Sequence, residues 1–324
     1  ERRDAELMAN HLKTEQFEQV MNAGDIRWSL PKVVYHLEDL RLGMSYPNYY
    51  IARLASKFVK VCLQGTGGDE LFGGYPWRYY KVYDALDQED FFEQYYDFWQ
   101  RLVPTEEKEA LFVDEVLDQI DLDAPRKVFK SVFTFNDKLK YDSPQDHINN
   151  SLYFEIKTFL PGLFLLGDKL SMAHGLEERF PFMDNDLVDF AMKIPVEHKL
   201  ENLEKEIDKI DENINAKKKL YREFDEGKNV LRKAMEEYIP EKILNRKKQG
   251  FSAPDESWYR GENAKFIKET LINSETLCTK YISKAYIEKI ISEHLNDGVN
   301  HRLLIWSFLN FELWCRIFLN NENL

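Results

Sequence analysis

The spacing of apolar residues predicts helices that lead into a short strand and a glycine-rich loop. Apolar residues at three- and four-residue steps predict a helix over residues 1–24 that ends near Gly24. A second helix is predicted over residues 49–57, and the apolar run of residues 58–63 predicts a strand. Helix, strand and glycine loop in this order indicate an α/β unit.

Three later stretches also follow a helical pattern. Residues 78–120 are unusually aromatic, and we expect these rings to pack in a core rather than to stack on nucleic-acid bases. Residues 148–166 predict an apolar helix that is closed by Pro161-Gly162 or by Gly167. Residues 229–324 are helical again, so the C-terminal part is predicted to be largely helical.

A charged stretch divides the chain. Residues 197–228 combine Glu, Lys, Asp and Asn with Leu and Ile at helical steps, which predicts an exposed helical hairpin or a short coiled coil. We interpret residues 196–228 as an insertion, and binding of a partner is the less favoured interpretation. The insertion separates an α/β domain at residues 1–195 from its helical remainder at residues 229–324.

Composition narrows the class of protein. The chain has 324 residues, of which 44% are hydrophobic, so it can bury a sizeable core. Its formal net charge is -13, which argues against nucleic acid as a direct partner. An anionic nucleotide would have to be held by local groups and a cation. The histidines form no HxxxH or HExxH motif that would support a zinc site.

The cysteines bear on the cellular compartment. Cys62, Cys278 and Cys315 have no spacing typical of a disulfide framework, and a reduced cytoplasmic compartment fits this usage. Cys62 lies in the predicted strand, and we interpret it and Cys315 as core residues rather than nucleophiles. The chain shows no signal peptide and no apolar run of about 18 residues, so neither secretion nor a membrane span is predicted.

The loop after the predicted strand carries the strongest local signal for chemistry. Five of the ten residues from Gly65 to Gly74 are glycine, which lets the backbone approach a nucleotide closely. Backbone N–H groups at the carboxyl edge of a sheet bind anions. Asp69 and Glu70 come next in the sequence, at a position where their carboxylates could contact a metal-bound phosphate. An ordinary turn between strand and helix explains a glycine cluster equally well.

Two further segments combine charge with apolar residues. In residues 168–184, charged side chains interrupt an apolar pattern at Asp168, Glu177, Arg179 and Asp184. We expect these charges to be partly buried, and therefore paired or functional. For Arg179 and Asp184 a structural ion-pair network is the favoured interpretation. Residues 246–254 place three cations before a glycine and an aromatic residue, which indicates a shaped loop or a solvated basic face.

Taken together, these segments resemble the synthetase domain of glutamine-hydrolysing asparagine synthetase. The resemblance rests on GTGGDELFGGYPWRY at residues 65–79, DKLSMAHGLEERFPFMD at residues 168–184, and the GK-x-x-LRKAMEEYIP…RKKQGFSAP run at residues 227–254. Three long matches in the same order and spacing are far more specific than any short motif. They cover nearly the whole chain except the insertion.

The resemblance implies a fold and a reaction. The fold is an α/β domain of the ATP pyrophosphatase type, similar to adenine nucleotide alpha hydrolases, with a parallel sheet and a helical C-terminal part. The reaction is that of a cytoplasmic carbon–nitrogen ligase with glutamine as amide donor. ATP and Mg²⁺ adenylate the β-carboxylate of aspartate, and ammonia from a glutaminase domain then yields asparagine, AMP and pyrophosphate. The family also allows a homodimer.

The resemblance further implies roles for individual residues. Glu177 would accept a proton from the attacking amine, and Lys248 would stabilise charge on the α-phosphate. Asp69 and Glu70 would bind Mg²⁺ and pyrophosphate. Asp168, Arg179 and Asp184 would support the site. The ATP and acyl-adenylate contacts would come from Gln64, Gly65, Thr66, Gly67 and Gly68.

The chain departs from the family pattern in three ways. It carries neither the S-G-G-x-D-S pyrophosphate loop nor the glutaminase domain, so we expect a truncated synthetase whose sheet lacks its first strand and has an exposed edge. We therefore predict that the fragment alone shows no exchange between ATP and pyrophosphate. Gln64 replaces the usual serine, and Thr66 stands where some relatives carry glutamate.

Other functions stay open at this point. A related amidotransferase could act on another carboxylate, such as a sugar or a cell-surface precursor. A β-lactam-forming synthetase would pair a tyrosine, for which Tyr153 is a candidate, with Glu177. A scaffold without catalysis could bind a partner through residues 197–228, although the presence of Asp69, Glu177 and Lys248 argues against it.

Overall fold

A computed structural model defines the positions of most of the chain. The described residues are 2–40, 45–100, 102–201, 227–246, 255–272 and 276–322. Lys248 and residues 202–226 of the predicted insertion lie outside them.

The N-terminal helix is much shorter than the sequence predicts. Helix α1 runs over Arg2–Leu12 and buries no side chain. It ends before Lys13, whose backbone is left-handed with φ +55°. The prediction of one helix over residues 1–24 is therefore wrong, because residues 13–20 are exposed and no core face holds the chain helical beyond α1.

The next two helices pack against each other. Helix α2 spans Asp25–Leu37 and α3 spans Tyr46–Ala55, so the helix predicted over residues 49–57 is confirmed with an earlier start. Pro31 lies inside α2. An interior proline destabilises a helix by about 3 kcal/mol. The fully buried side chains on either side of it, Leu30 and Val33 among them, offset that loss through packing.

A parallel pair of short strands forms the sheet. Strand β1 covers Val61–Leu63 and strand β2 covers Glu177–Arg179, with Cys62 opposite Glu178. Only the last three residues of the predicted strand 58–63 pair. Leu63 is 72% exposed and Cys62 is half-buried, so the expectation of a buried strand is wrong. Within the described residues this α/β protein is mostly helical with a two-stranded sheet.

Helices make up most of the remaining described chain. Up to β2 they are α4 (Gly68–Phe72), α5 (Pro76–Tyr80), α6 (Gln88–Trp99), α7 (Lys108–Leu111), α8 (Asp114–Leu117), α9 (Ala124–Thr134), α10 (Pro144–Phe154) and α11 (Leu160–Met172). After β2 they are α12 (Asn185–Ala191), α13 (Val196–Lys199), α14 (Asn229–Ala234), α15 (Glu241–Leu244), α16 (Asp255–Arg260), α17 (Ala264–Leu271), α18 (Lys284–Asn296) and α19 (Arg302–Trp314). Short 3₁₀ or π segments cover Thr105–Glu107, Glu155–Phe159, Pro181–Met183, Cys278–Lys280 and Cys315–Leu319.

Local sequence explains where several of these helices begin. The side chains of Asp87, Ser143 and Ser283 each accept a hydrogen bond from the backbone N–H three residues further on. Such N-caps satisfy a donor that the first turn leaves free and stabilise a helix by about 1 kcal/mol. The starts of α6, α10 and α18 are therefore encoded locally.

Helices α10 and α11 are joined where the sequence predicts a break. The π segment Glu155–Phe159 connects them without a loop, and the helical course continues past Pro161 and Gly167 to Met172. The predicted closure at Pro161-Gly162 or Gly167 is therefore wrong. Proline lacks a backbone N–H, and at the first turn after a change in hydrogen-bond register that donor is not required.

Two of the four hydrophobic clusters among the described residues hold most of the buried apolar side chains. The larger joins α2, α3 and Leu170 of α11 to the C-terminal helices α16 to α19. The smaller is aromatic and lies between α6, α9 and α10, with Phe91, Tyr95 and Phe133 almost fully buried. The expectation that the aromatic stretch packs in a core is confirmed.

Both ends of the predicted insertion meet in space. Leu200 and Gly227 form an antiparallel bridge, although the division into domains stays a prediction. Among the helices of the described residues, none has the length and apolar character needed to cross a bilayer.

Candidate functional site

The glycine loop leaves the sheet beside the carboxyl end of the second strand. The backbone N–H of Gln64 donates to the carbonyl of Arg179 at 2.8 Å, and the N–H of Glu177 donates to the carbonyl of Lys60 at 2.8 Å. The sheet pairing therefore continues to the first loop residue. As a result, the loop and the C-terminal end of β2 lie at the same edge, where parallel sheets bind ligands.

Close packing accounts for two of the loop glycines. Gly67 has φ +101°, and a Cβ atom there would lie 2.6 Å from Cε of Met183. A Cβ atom on Gly68 would lie 3.2 Å from the ring of Phe182. The 3₁₀ turn after β2 thus packs directly on the loop, and the positive φ of Gly67 favours glycine at that position. Gly65, in contrast, faces open space.

Asp69 is held by a cation at the base of the loop. Its Oδ1 atom lies 3.0 Å from Nζ of Lys228, with both side chains largely buried. Gly74 makes room for this carboxylate, because a Cβ atom at position 74 would overlap Oδ1 of Asp69. Sequence reasoning missed Lys228, whose signal was its place in the GK pair that opens the third matched run.

Glu70 faces away from the loop. It is 1% exposed and accepts a hydrogen bond from the hydroxyl of Tyr75 at 2.9 Å. Burial raises the pKa of Glu70 above its usual range. Adjacent residues on a helix point about 100° apart, and here Asp69 contacts Lys228 whereas Glu70 contacts Tyr75. The prediction that Glu70 binds metal or pyrophosphate has no support in this geometry.

A buried charged cluster lies behind Glu70. Nη1 of Arg78 is 3.0 Å from Oε1 of Glu155, and the hydroxyl of Tyr79 donates to Oε2 of Glu155 at 3.1 Å. The guanidinium of Arg78 stacks over the Tyr75 ring at 3.7 Å. Burial raises the pKa of Glu155 to about 7, although Arg78 opposes the shift. Helix α5 is thereby fastened to the π segment beneath α4.

The two faces of β2 differ in chemistry. Glu177 and Arg179 project outward with side chains 51% and 66% exposed, so the expectation that they are partly buried is wrong. Glu178 points to the other face and accepts a hydrogen bond from Nε2 of Gln64 at 3.0 Å. Burial raises the pKa of Glu178, and Asp168 raises it further. Period-two alternation was the signal that could have separated Glu177 from Glu178.

Asp184 and Arg179 have separate partners. The Asp184 carboxylate accepts hydrogen bonds from the N–H groups of Asp186 and Leu187, and so caps α12. The Arg179 guanidinium lies 4.0 Å from Glu177 across an exposed surface. Of the two residues predicted to form an ion-pair network, Arg179 has an ion pair with Glu177, whereas Asp184 serves as a helix cap. Asp184 acts locally, as Ser and Asp commonly do at the start of a helix.

The described part of the chain contains no group of three or more His, Cys, Asp or Glu side chains arranged to hold a metal ion. Of the predicted pair Asp69 and Glu70, Asp69 is the carboxylate at the loop, and it already forms an ion pair with Lys228. Mg²⁺ is commonly held by one or two carboxylates together with substrate phosphates. Asp69 offers one carboxylate of this kind, with its Oδ1 atom already paired to Lys228. Lys248 lies outside the described residues.

Comparisons with known proteins identify a family. A family model described as asparagine synthase matches residues 1–316. A Bacillus subtilis (strain 168) protein named asparagine synthetase (glutamine-hydrolyzing) 1 is 29% identical over 345 residues, covering 96% of this chain and 49% of that protein. A second protein of that strain, asparagine synthetase (glutamine-hydrolyzing) 3, is 24% identical and covers 80% of this chain and 38% of its own length.

A shorter similarity extends to a differently named protein. Amidase chry2 of Gibberella zeae is 30% identical over 134 residues, covering 40% of this chain and 18% of that protein. The chain spans about half the length, or less, of the Bacillus relatives it matches.

Proposed function

This chain belongs to the asparagine synthase family, and from that premise we propose that it forms the amide-forming half of a glutamine-hydrolysing asparagine synthetase. The proposed reaction begins when an oxygen of the aspartate β-carboxylate attacks the α-phosphorus of ATP and pyrophosphate leaves. Ammonia then attacks the acyl carbon, and AMP departs with the electron pair of the broken C–O bond. The products are asparagine, AMP and pyrophosphate.

One observation carries the proposal. The glycine loop and the end of β2 are joined by the hydrogen bond from Gln64 to Arg179, which places the loop at the carboxyl edge of the sheet, beside the strand that carries Glu177 two residues earlier. The N–H groups of Gly65 and Gly67 are suited to contact phosphate or carboxylate oxygens there. Thr66 and Gly68 complete the wall of the proposed ATP and acyl-adenylate site.

Two residues would take part in the chemistry itself. The half-exposed carboxylate of Glu177 is accessible to solvent and to a substrate, and would accept the proton that ammonia loses on attack. Lys248 would stabilise the negative charge that develops on the α-phosphate. Both roles come from the family resemblance. Lys248 itself lies outside the described residues.

Other residues would position the reactants. Asp69 would hold Mg²⁺, which neutralises phosphate charge when bound, and Lys228 would keep that carboxylate in place. Asp168, Arg179 and Asp184 would support the strand and the turn that follow the loop. Glu70 belongs to the buried cluster and would act only on the conformation of α4.

The proposal extends to the rest of the protein. We infer an ATP pyrophosphatase-type sheet in which a further strand pairs with β1, which has β2 as its single neighbour among the described strands. Glutamine-derived ammonia would come from a glutaminase domain, in a cytoplasmic protein that could form a homodimer. The chain alone is expected to show no exchange between ATP and pyrophosphate.

The decisive experiment uses the full-length protein that contains this chain. Formation of AMP from ATP, aspartate and ammonium is measured beside glutaminase activity. Lys248→Ala should abolish AMP formation and leave glutamine hydrolysis intact, whereas the neighbouring Lys247→Ala serves as the matched control. AMP formation that survived Lys248→Ala would contradict the role of Lys248.

The acceptor is tested in the same assay. We expect aspartate to support AMP formation and glutamate or an amino-sugar acid to support little. If another carboxylate supported AMP formation much better than aspartate, the protein would instead be an amidotransferase of the same family that acts on that carboxylate. AMP formation with a β-amino acid in the absence of ammonium would instead indicate ring closure of the β-lactam type.

A further inference from the structure

An apolar cavity lies in the helical region beside the aromatic core, on elements outside the proposed catalytic site. Its volume is about 610 Å³, within the range of small-molecule sites. The walls come from α6, α9 and the segment that includes α7, and Trp99, Leu111, Phe112 and Val132 are among the lining side chains. The proposed reaction gives this cavity no role.

The cavity leaves apolar surface in contact with solvent. Val128 is 64% exposed and Ile120 is 38% exposed, and both lie on its wall. At the inner end, Phe129 and Phe154 are almost fully buried and belong to the aromatic core. A preformed apolar recess with a rigid aromatic floor favours a ligand with an apolar body.

Three polar side chains that line the cavity lie together. Nζ of Lys108 lies 3.2 Å from Oε1 of Gln100 and 3.4 Å from the hydroxyl of Tyr96. Both partners are neutral. Among the residues that the structure describes, no carboxylate is within 4.0 Å of this ammonium, which leaves its charge uncompensated in a protein of net charge -13.

The nearby acids are engaged elsewhere. Asp121, which also lines the cavity, lies 2.6 Å from Nζ of Lys127. Glu107, which precedes Lys108, lies 3.1 Å from Nζ of Lys289 and accepts a hydrogen bond from Tyr286. The cavity lining therefore presents a positive charge together with the neutral hydrogen-bonding groups of Gln100 and Tyr96.

We infer that this cavity binds a small amphipathic anion, namely a free unbranched alkyl carboxylate. The alkyl chain would lie against Trp99, Val132 and Phe129, and the carboxylate would accept a hydrogen bond from the ammonium of Lys108. Burial of each methylene group favours binding, and a charge-assisted hydrogen bond selects the anion over a neutral chain of equal length.

The test compares two ligands of the same length by calorimetric titration of this chain. Decanoate, at concentrations below micelle formation, should bind with a 1:1 stoichiometry and about tenfold more tightly than decanol. Lys108→Met should remove that preference and leave decanol binding unchanged. Lys130→Met is the matched control, because Lys130 lies on α9 and pairs with Glu89 away from the cavity.

A second variant tests the position of the ligand. Val132→Trp should fill the cavity and lower the affinity for both ligands at least tenfold, with its fold checked by circular dichroism. The inference would be overturned by absence of saturable decanoate binding, by equal affinity for the two ligands, or by a preference that survives Lys108→Met. Because the assay contains no ATP, its failure would leave the proposed reaction untouched.

Discussion

Replacing Arg78 with methionine would leave a buried carboxylate without its cation. Arg78 is 5% exposed and Glu155 is fully buried, with 3.0 Å between Nη1 and Oε1. The rings of Tyr75, Trp99 and Phe159 lie 3.7, 5.0 and 4.5 Å from the guanidinium. Methionine would keep much of this packing and remove only the charge and its hydrogen bonds.

The magnitude depends on pH. Removing one member of a buried ion pair destabilises a protein by about 3–5 kcal/mol, and we expect this loss for Arg78→Met at pH 8. Burial raises the pKa of Glu155 to about 7, so at pH 5 the carboxyl is protonated in both proteins. The loss should then fall to about 1.5–3 kcal/mol, the value of a hydrogen bond to a charged group.

In the wild-type protein, Glu155 makes the free energy of unfolding depend on pH. The folded-state pKa of Glu155 lies above its usual value of 4.5, so the folded state binds this proton more tightly than the unfolded state does. Its contribution to the free energy of unfolding is fully present below about pH 4.5 and is lost as pH rises through 7. The difference is on the order of 3 kcal/mol and should be absent in Glu155→Gln.

Urea denaturation followed by circular dichroism at pH 5 and pH 8 provides the measurement. Arg78→Met, Glu155→Gln and the double variant form a cycle that isolates the pair. Lys127→Met, which breaks an exposed pair with Asp121, is the control and should behave alike at both pH values. Equal losses for Arg78→Met at the two pH values would refute the argument that the pair is charged and buried.

Three further predictions concern single positions. Gly74→Ala should lower the free energy of unfolding by about 1–3 kcal/mol, because its Cβ atom overlaps Oδ1 of Asp69, whereas Gly65→Ala faces open space and should leave urea denaturation unchanged. Lys199→Met should raise the free energy of unfolding at pH 7 by on the order of 3 kcal/mol, because burial lowers the Lys199 pKa to about 8. This gain in stability should decline between pH 8 and pH 10.5, and a gain that persisted at pH 11 would contradict the prediction. Iodoacetamide at pH 9 should modify Cys62 before the two buried thiols, as read by mass spectrometry of the native protein.

Much of the helical structure was predictable because its signals are local. The N-caps Asp87, Ser143 and Ser283 need only a carboxylate or hydroxyl and a nearby N–H group. Signals that stop a helix were less reliable. Pro161 and Gly167 failed to close α11, because the π segment before them changed the hydrogen-bond register and core packing held the chain helical.

The candidate site was predictable as a loop and less so as an arrangement of side chains. The glycine pattern and its family resemblance located residues 65–74. They left open that Glu70 turns inward to Tyr75 and that Lys228, from a distant segment, reaches Asp69. They also left open which of two adjacent glutamates on β2 faces solvent.

By itself, therefore, the amino-acid sequence determined the family, the helical character and the position of the glycine loop. Each of these depends on residue types in a fixed order along the chain. Only the tertiary structure decided which carboxylates are exposed and which are paired, since pairing joins residues far apart in the sequence, as between Asp69 and Lys228, which are 159 positions apart (228 minus 69). Burial and partner choice depend on how helices pack, and packing is a property of the whole chain.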